Sequence, residues 1–340
     1  MSAVAASQPE GRPRQSAVAP FARADTRRAF LDVITSVVPY LALVAAMLLL
    51  VDTSYVAALV LAVPTAGFLT RTFLVMHDCA HGAFLPSRRA NQWLGVFTGI
   101  ITLQAFACWR HDHIRHHAAG GDLSADGTGD VEIISVEEFR ALPRRGRLAY
   151  YLRRQPLVVF SIGALWANVV KPRIVLASDS PRLRRSKLAT NLVLTVMLAG
   201  LGWLVGWRDL LLVGLPTFWL ASGFGVWLIW VQHRFEDALW LSPPEWDWET
   251  AALAGSSHFK LPRILQFFSL NIGLHHVHHL NPRIPNYNLC RANQEIEFLR
   301  SVPTVSLLDG LKAVRLSLYD VEQGRLVTFG HLRRRRSAID

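Results

Sequence analysis

Apolar residues along this chain gather into long runs instead of alternating or recurring at helical spacing. Leu31–Val51 and Ser54–Met76 are each about 20 residues long, enough for a helix to cross a hydrocarbon core of roughly 30 Å. Leu188–Gly206 and Leu210–Val231 form a second such pair. The connections are short, Asp52–Thr53 in the first pair and Trp207–Asp209 in the second, so each pair closes as a hairpin. The pattern predicts an all-α integral membrane protein with four transmembrane helices in two hairpins. Two further apolar stretches, Gln92–Phe106 and Pro156–Val170, fall short of a span, and the first is expected to lie in the membrane interface or re-enter it. Gly120–Asp130 reads as a loop, Ser242-Pro243-Pro244 as a turn and Asn281–Asn288 as extended chain. Residues 1–30 read as a disordered tail, residues 31–310 as the one folded unit, and residues 311–340 as a basic tail.

Composition agrees with the bilayer as solvent. Of 340 residues, 51% are hydrophobic and only 18% charged, against about 25% charged in an average soluble domain. The remaining charge is placed asymmetrically. Arg12, Arg14, Arg23, Arg27 and Arg28 precede the first hairpin, a series from Arg110 to Arg154 separates the two, and Arg333–Arg336 nears the end, whereas the hairpin turns carry only Arg208. Lys and Arg stay on the cytoplasmic side of a membrane, so both hairpins and both termini are expected to start and finish there. The net charge of +11 then faces anionic headgroups or an acidic redox partner, and no nucleic-acid motif accompanies it. Cys79, Cys108 and Cys290 are scattered and odd in number, which argues against a disulfide framework and fits a reducing compartment. The Ala- and Arg-rich composition suggests a bacterial inner membrane.

The histidines carry the chemistry. His77 and His81 follow directly on the second span at i, i+4, so a helix puts both on one face, roughly 6 Å apart at Cβ. His113, His116 and His117 are spaced i, i+3, i+4, and His275, His278 and His279 repeat that spacing. Helical geometry rotates His276 about 100° off the face of its cluster and His111 about 200° off the face of His113, which excludes both. Eight imidazoles exceed the four ligands of structural zinc or the three of catalytic zinc, and suit two metals. Imidazole accommodates iron, copper, zinc or nickel, so spacing does not name the metal. With both hairpins returning to one side, the three clusters lie at similar depth in a cytoplasmic helical cap, where they can converge. His233, at the end of the fourth span, is the candidate ninth ligand. Metal-bound imidazoles usually donate their other N–H to an acceptor, and Asp78, Asp112, Asp130, Glu236 and Asp237 are candidates for that role.

These clusters, of the form HxxxH, HxxHH and HxxHH, resemble the signature of the membrane fatty acid desaturase superfamily. Further stretches resemble its acyl-lipid Δ12 and ω-3 branch: Trp109-Arg110 before the second cluster, Gly129-Asp130 after it, Val231–Glu236, and Asn271–Leu289 (NIGLHHVHHLNPRIPNYNL). The similarity covers about residues 30–310. His258 departs from the aromatic expected there and is left out of the site. No HPGG motif of a fused haem domain occurs. The resemblance implies two iron ions, O2 as co-substrate, and electrons from an external donor such as ferredoxin or cytochrome b5. It also implies a fatty acyl lipid or acyl thioester as substrate, and a cis double bond as product. Trp93, Phe97 and Phe106 are candidates to line an acyl tunnel.

A fatty acyl hydroxylase is the nearest alternative, since one di-iron site supports either outcome. From another class, a metal transporter or zinc-dependent membrane receptor would place ionisable ligands near the bilayer midplane, whereas these histidines sit at the ends of spans.

Overall fold

The structure is a computed structural model, and it describes residues 13–124, 133–242 and 244–336. Four helices are long and apolar enough to cross a membrane. The first, α1 (Thr26–Leu50), starts where the Asp25 carboxylate caps the backbone N–H groups of Arg27 and Arg28 at 2.9 and 3.1 Å. Ser54 caps the second, α2 (Tyr55–Ala80). Two shorter helices follow, α3 (Arg88–Ile101) and α4 (Phe106–Ala119), separated by a break at Leu103, whose φ of 58° is left-handed. The second hairpin is α5 (Pro181–Val205) and α6 (Trp207–His233), turning at Gly206, where φ is 88° and a side chain would be strained. Two short helices close the histidine pole, α7 (His275–Leu280) and α8 (Asn286–Glu295).

The spans run longer than their apolar stretches. A helix of 26 residues, as α2 is, reaches about 39 Å at 1.5 Å per residue, and the hydrocarbon core takes up only about 30 Å. The surplus carries α2 through His77 and α6 through His233 as continuous helix, which holds both imidazoles rigidly above the apolar layer. At the opposite pole Arg208 bridges Asp52 at 2.5 Å and Asp209 at 2.8 Å, so the two hairpin turns sit side by side. In α2, 61% of the apolar window is buried, against 22%, 11% and 28% in α1, α5 and α6. That difference makes α2 the central helix; Leu188, Leu192, Leu198, Leu201 and Leu204 of α5 face outward as a lipid-exposed surface should, while Leu194 is buried.

The main core lies at the histidine pole, where Met76, Phe84, Phe106, Val231, Phe259, Val277 and Ile284 pack together. The stretch Pro156–Val170 is helical with π-type turns over Val158–Gly163 and Trp166–Val170, and lies against α6. Gly223 makes that approach possible, since a Cβ there would stand 2.6 Å from the Phe160 carbonyl oxygen.

Three expectations need correction. Residues 13–25 are ordered, not a disordered tail: Pro13–Val18 is helical, and Val18 and Phe21 are buried in the main core. Asn281–Asn288 is not extended chain; a turn at Asn281–Ile284 leads directly into α8. Residues 311–336 are folded, with β1 (Leu316–Asp320) antiparallel to β2 (Arg325–Thr328) and a helix over Phe329–Arg336. The hairpin buries Leu318 and Val327 against Val136 and Tyr150 in a small core of its own. Of the loop expected over Gly120–Asp130, residues 125–130 lie outside the described residues, and Asp130 with them.

Candidate metal centre

Four elements deliver histidines to one buried point. The last turn of α2 carries His77, with His81 at its C-cap; α4 carries His113, His116 and His117; α6 ends on His233; α7 carries His275, His278 and His279. The turn into α7 is made by Leu270 and Asn271, both left-handed at φ 46° and 60°. Gly273 then lets the chain press against Phe259, whose N–H donates to the Gly273 carbonyl at 2.7 Å. A Cβ on Gly273 would stand 2.4 Å from the Phe259 carbonyl oxygen.

The nine imidazoles divide into two groups. His77, His81, His113, His117 and His278 form one, and His116, His233, His275 and His279 the other, with the potential donor atoms of each group all within 4.8 Å of one another. Within the first group the Nε2 atoms are 3.0 Å apart for His81–His113, 3.1 Å for His113–His117 and 3.0 Å for His117–His278. In the second they are 3.1 Å apart for His116–His233 and 2.9 Å for His233–His275. Hydrogen bonds alone do not explain the first series. A neutral Nε2 either carries one proton or offers one lone pair, so no placement of protons satisfies all three contacts along His81, His113, His117 and His278. A central cation does. Two nitrogens bound at right angles to a metal about 2.1 Å away stand about 3.0 Å apart, the spacing found here.

Protonation points the same way. Burial pushes His81, His113, His117, His275, His278 and His279 well below the ordinary histidine range, and neighbouring imidazoles add to the effect. These rings are therefore neutral, the form that presents a lone pair. Stacking fixes ring planes: Trp109 lies 4.4 Å from the His113 ring at 22°, and His117 lies 4.2 Å from His279 at 26°.

His111, His258 and His276, left out of the site on the sequence, stand apart from both groups. His111 is exposed and bonds Asp112 at 3.2 Å. His276 is buried, but its Nε2 pairs with the Asn293 side-chain oxygen at 3.1 Å, and burial pushes its pKa down to about 4. His258 packs near His276, at 5.9 Å between rings. None of the three belongs to either group.

Of the candidate carboxylate acceptors, Asp78 meets a clustered histidine: its Oδ1 lies 3.0 Å from His77 Nδ1. Asp112 is taken by His111, Glu236 pairs with Arg325 at the surface, and Asp237 is exposed. His233 uses a backbone acceptor, the Gly255 carbonyl, at 3.2 Å from Nδ1. Trp93 and Phe97 are 73% and 50% exposed, one helical turn apart on the outer face of α3, so they are membrane-facing residues, not tunnel lining. Phe106 is buried under α3, where a Cβ on Gly95 would come within 2.3 Å of its ring. Gly255 and Asn286 were not apparent from the sequence, because each acts through the fold on a histidine or aspartate far away along the chain.

Comparison with known proteins agrees with this geometry. A family model described as fatty acid desaturase matches residues 52–299. A protein of Bacillus subtilis named fatty acid desaturase is 38% identical over 312 residues, covering 92% of this chain and 89% of its own length. The sn-1 oleoyl-lipid 12-desaturase of Synechocystis is 27% identical, covering 79% of this chain and 78% of its own. The sn-1 acyl-lipid omega-3 desaturase (ferredoxin) of the same organism is 28% identical, covering 66% and 63%.

Proposed function

This chain belongs to the fatty acid desaturase family, and from that premise we propose that it inserts a cis double bond into a fatty acyl chain at two histidine-bound iron ions. The observation that carries the reading is the pair of converging imidazole groups. His77, His81, His113, His117 and His278 would hold one ion, and His116, His233, His275 and His279 the other. Bound iron supplies the oxidant that takes hydrogen from an unactivated methylene, which no side chain can do. One O2, two electrons, two protons and the saturated chain give the alkene and two waters.

The protein's own part is to present nine converging imidazoles and fix their ring planes. His116, His275 and His278 are 3%, 3% and 1% exposed, so these rings are shielded from bulk solvent, whereas His81 is half-buried. The histidine pole begins where the apolar windows of the spans end, so an acyl chain anchored in the bilayer reaches it without leaving lipid. We place that pole in the cytoplasm, because the basic residues outside the hairpin turns share it. The name of the Synechocystis omega-3 enzyme supports ferredoxin as donor; no relative reported above supports cytochrome b5.

Expression with a ferredoxin system in a host of saturated lipids tests the proposal. Gas chromatography–mass spectrometry should reveal new unsaturated chains, and the purified protein should hold two irons. Hydroxylated chains would reassign the outcome to oxygen insertion. Unchanged lipids beside a working donor would refute the proposal.

A further inference from the structure

His77 differs from its neighbours in what holds its far nitrogen. Among the described residues, the Nδ1 atoms of His117, His275 and His278 are buried with no hydrogen-bond partner. His77 Nδ1 instead meets Asp78 Oδ1 at 3.0 Å. The other carboxylate oxygen, Asp78 Oδ2, accepts two hydrogen bonds from one residue, Asn286: from its backbone N–H at 2.7 Å and from its side-chain Nδ2 at 3.1 Å. His77, Asp78 and Asn286 are 4%, 3% and 3% exposed, so water does not compete for these bonds.

The arrangement has a physical cause. Asn286 opens α8, and the first N–H groups of a helix lack intrahelical partners and carry its positive dipole end. Pro285 precedes it in extended conformation (φ −67°, ψ 153°), which aims the Asn286 N–H away from the preceding turn and toward Asp78. The next two residues tie the same helix end down. Tyr287 donates to the Phe84 carbonyl at 2.9 Å and accepts from the Asp25 N–H at 2.8 Å. Asn288 donates to the Phe21 and Arg23 carbonyls at 2.9 and 3.1 Å.

We propose that Asn286 is a positioning residue of the metal centre: through Asp78 it fixes His77 as the tautomer whose Nε2 bears the lone pair. Asp78 Oδ2 accepts from both donors of Asn286; in the proposed arrangement Oδ1 has the same acceptor role toward His77, with the shared proton on Nδ1 and Nε2 left free toward its group. The inference rests on the reading that the clustered histidines bind metal. Replacing Asp78 by Asn makes the logic visible. An amide that keeps its oxygen toward the two donors of Asn286 turns its NH2 toward His77. Nδ1 must then accept, and the ring proton moves to Nε2, where it blocks coordination.

The test uses the metal-stripped full-length chain in detergent, titrated with Co2+ alone and followed by visible absorption. Wild type should take up two ions. Asp78→Asn should weaken one of the two by about 10- to 100-fold, and Asn286→Ala, which keeps its backbone N–H, should weaken the same one by a smaller factor. Nitrogen-15 spectra of histidine-labelled, metal-free D78N should show His77 protonated at Nε2 and not at Nδ1, a change that loosened packing alone does not produce. Unaltered Co2+ affinity in both variants, or an unaltered tautomer in D78N, would overturn the inference. Should D78N fail to fold, wild-type affinity in N286A overturns it alone. A wild-type chain that binds fewer than two ions counts against the two-metal reading, while the tautomer of the metal-free protein still decides the role of Asn286.

Discussion

Removing the Asp32 carboxylate should destabilise this protein more than its position on a largely exposed helix suggests. Asp32 on α1 and Arg71 on α2 form an ion pair at 2.8 Å, with side chains 17% and 6% exposed, inside the span region. Arg71 also donates to the Thr35 hydroxyl at 3.3 Å and to the Phe267 carbonyl, and its guanidinium lies 4.2 Å from the Phe267 ring centre. In Asp32→Ala these contacts remain but the charge is stranded, a loss worth about 3–5 kcal/mol for a broken buried pair. With 340 residues, an unfolding entropy of about 2.1 cal/mol/K per residue sums to about 0.7 kcal/mol/K, so the melting temperature should fall by about 4–7 °C. Thermal unfolding in detergent measures this. Because the cost comes from the unpaired cation, Asp32→Leu combined with Arg71→Met should recover most of it. If the double variant is as unstable as the two single losses added together, the residues are not coupled and the reasoning fails.

Other outcomes follow from the site. His278→Ala removes an Nε2 that closes the five-histidine group, so it should abolish product and reduce bound iron while leaving the protein folded. His276→Ala removes a side chain that bonds Asn293 and belongs to neither group, and it should retain both irons, as elemental analysis of the two variants will show. The metal-stripped protein should lose stability as pH falls below 6.5, the ordinary histidine value from which the clustered rings are depressed. A ring that is neutral when folded takes up its proton on unfolding, so this contribution is complete above 6.5 and declines toward the lower folded values. A melting temperature that stays flat or rises on acidification from pH 7 to 5 would contradict that sign.

The spans and clusters were readable from the sequence because both are local patterns: an unbroken apolar run, or imidazoles three and four residues apart. Span ends were misjudged for a physical reason. Polar residues such as Arg27, Arg28 and His77 end an apolar run but not a helix, which continues into the interface. The acidic candidates were chosen by nearness along the chain, and among the described residues that succeeded only for Asp78, where the contact is between adjacent residues. Asn286 lies 208 residues from Asp78, and an Asn after Pro looks like ordinary turn chemistry. The C-terminal hairpin was overlooked because Arg333–Arg336 dominated that segment, and because its strands lack the alternation of a regular ribbon: Ser317, Leu318, Tyr319 and Asp320 are all buried, and a bulge interrupts the register between Leu316 and Leu318.

The division of the histidines between the two groups bears on how the centre is made. When the ribosome has passed residue 117, four of the five donors of the first group (His77, His81, His113 and His117) exist, but only His116 of the second. Translation must then continue to His278 and His279, a stretch lasting roughly 8–32 s at 5–20 residues per second. One half of the centre is thus nearly complete while the second hairpin is still unmade, and the other half depends on three segments meeting late. On the proposed two-ion reading, the early group would be able to capture its ion before the late group exists.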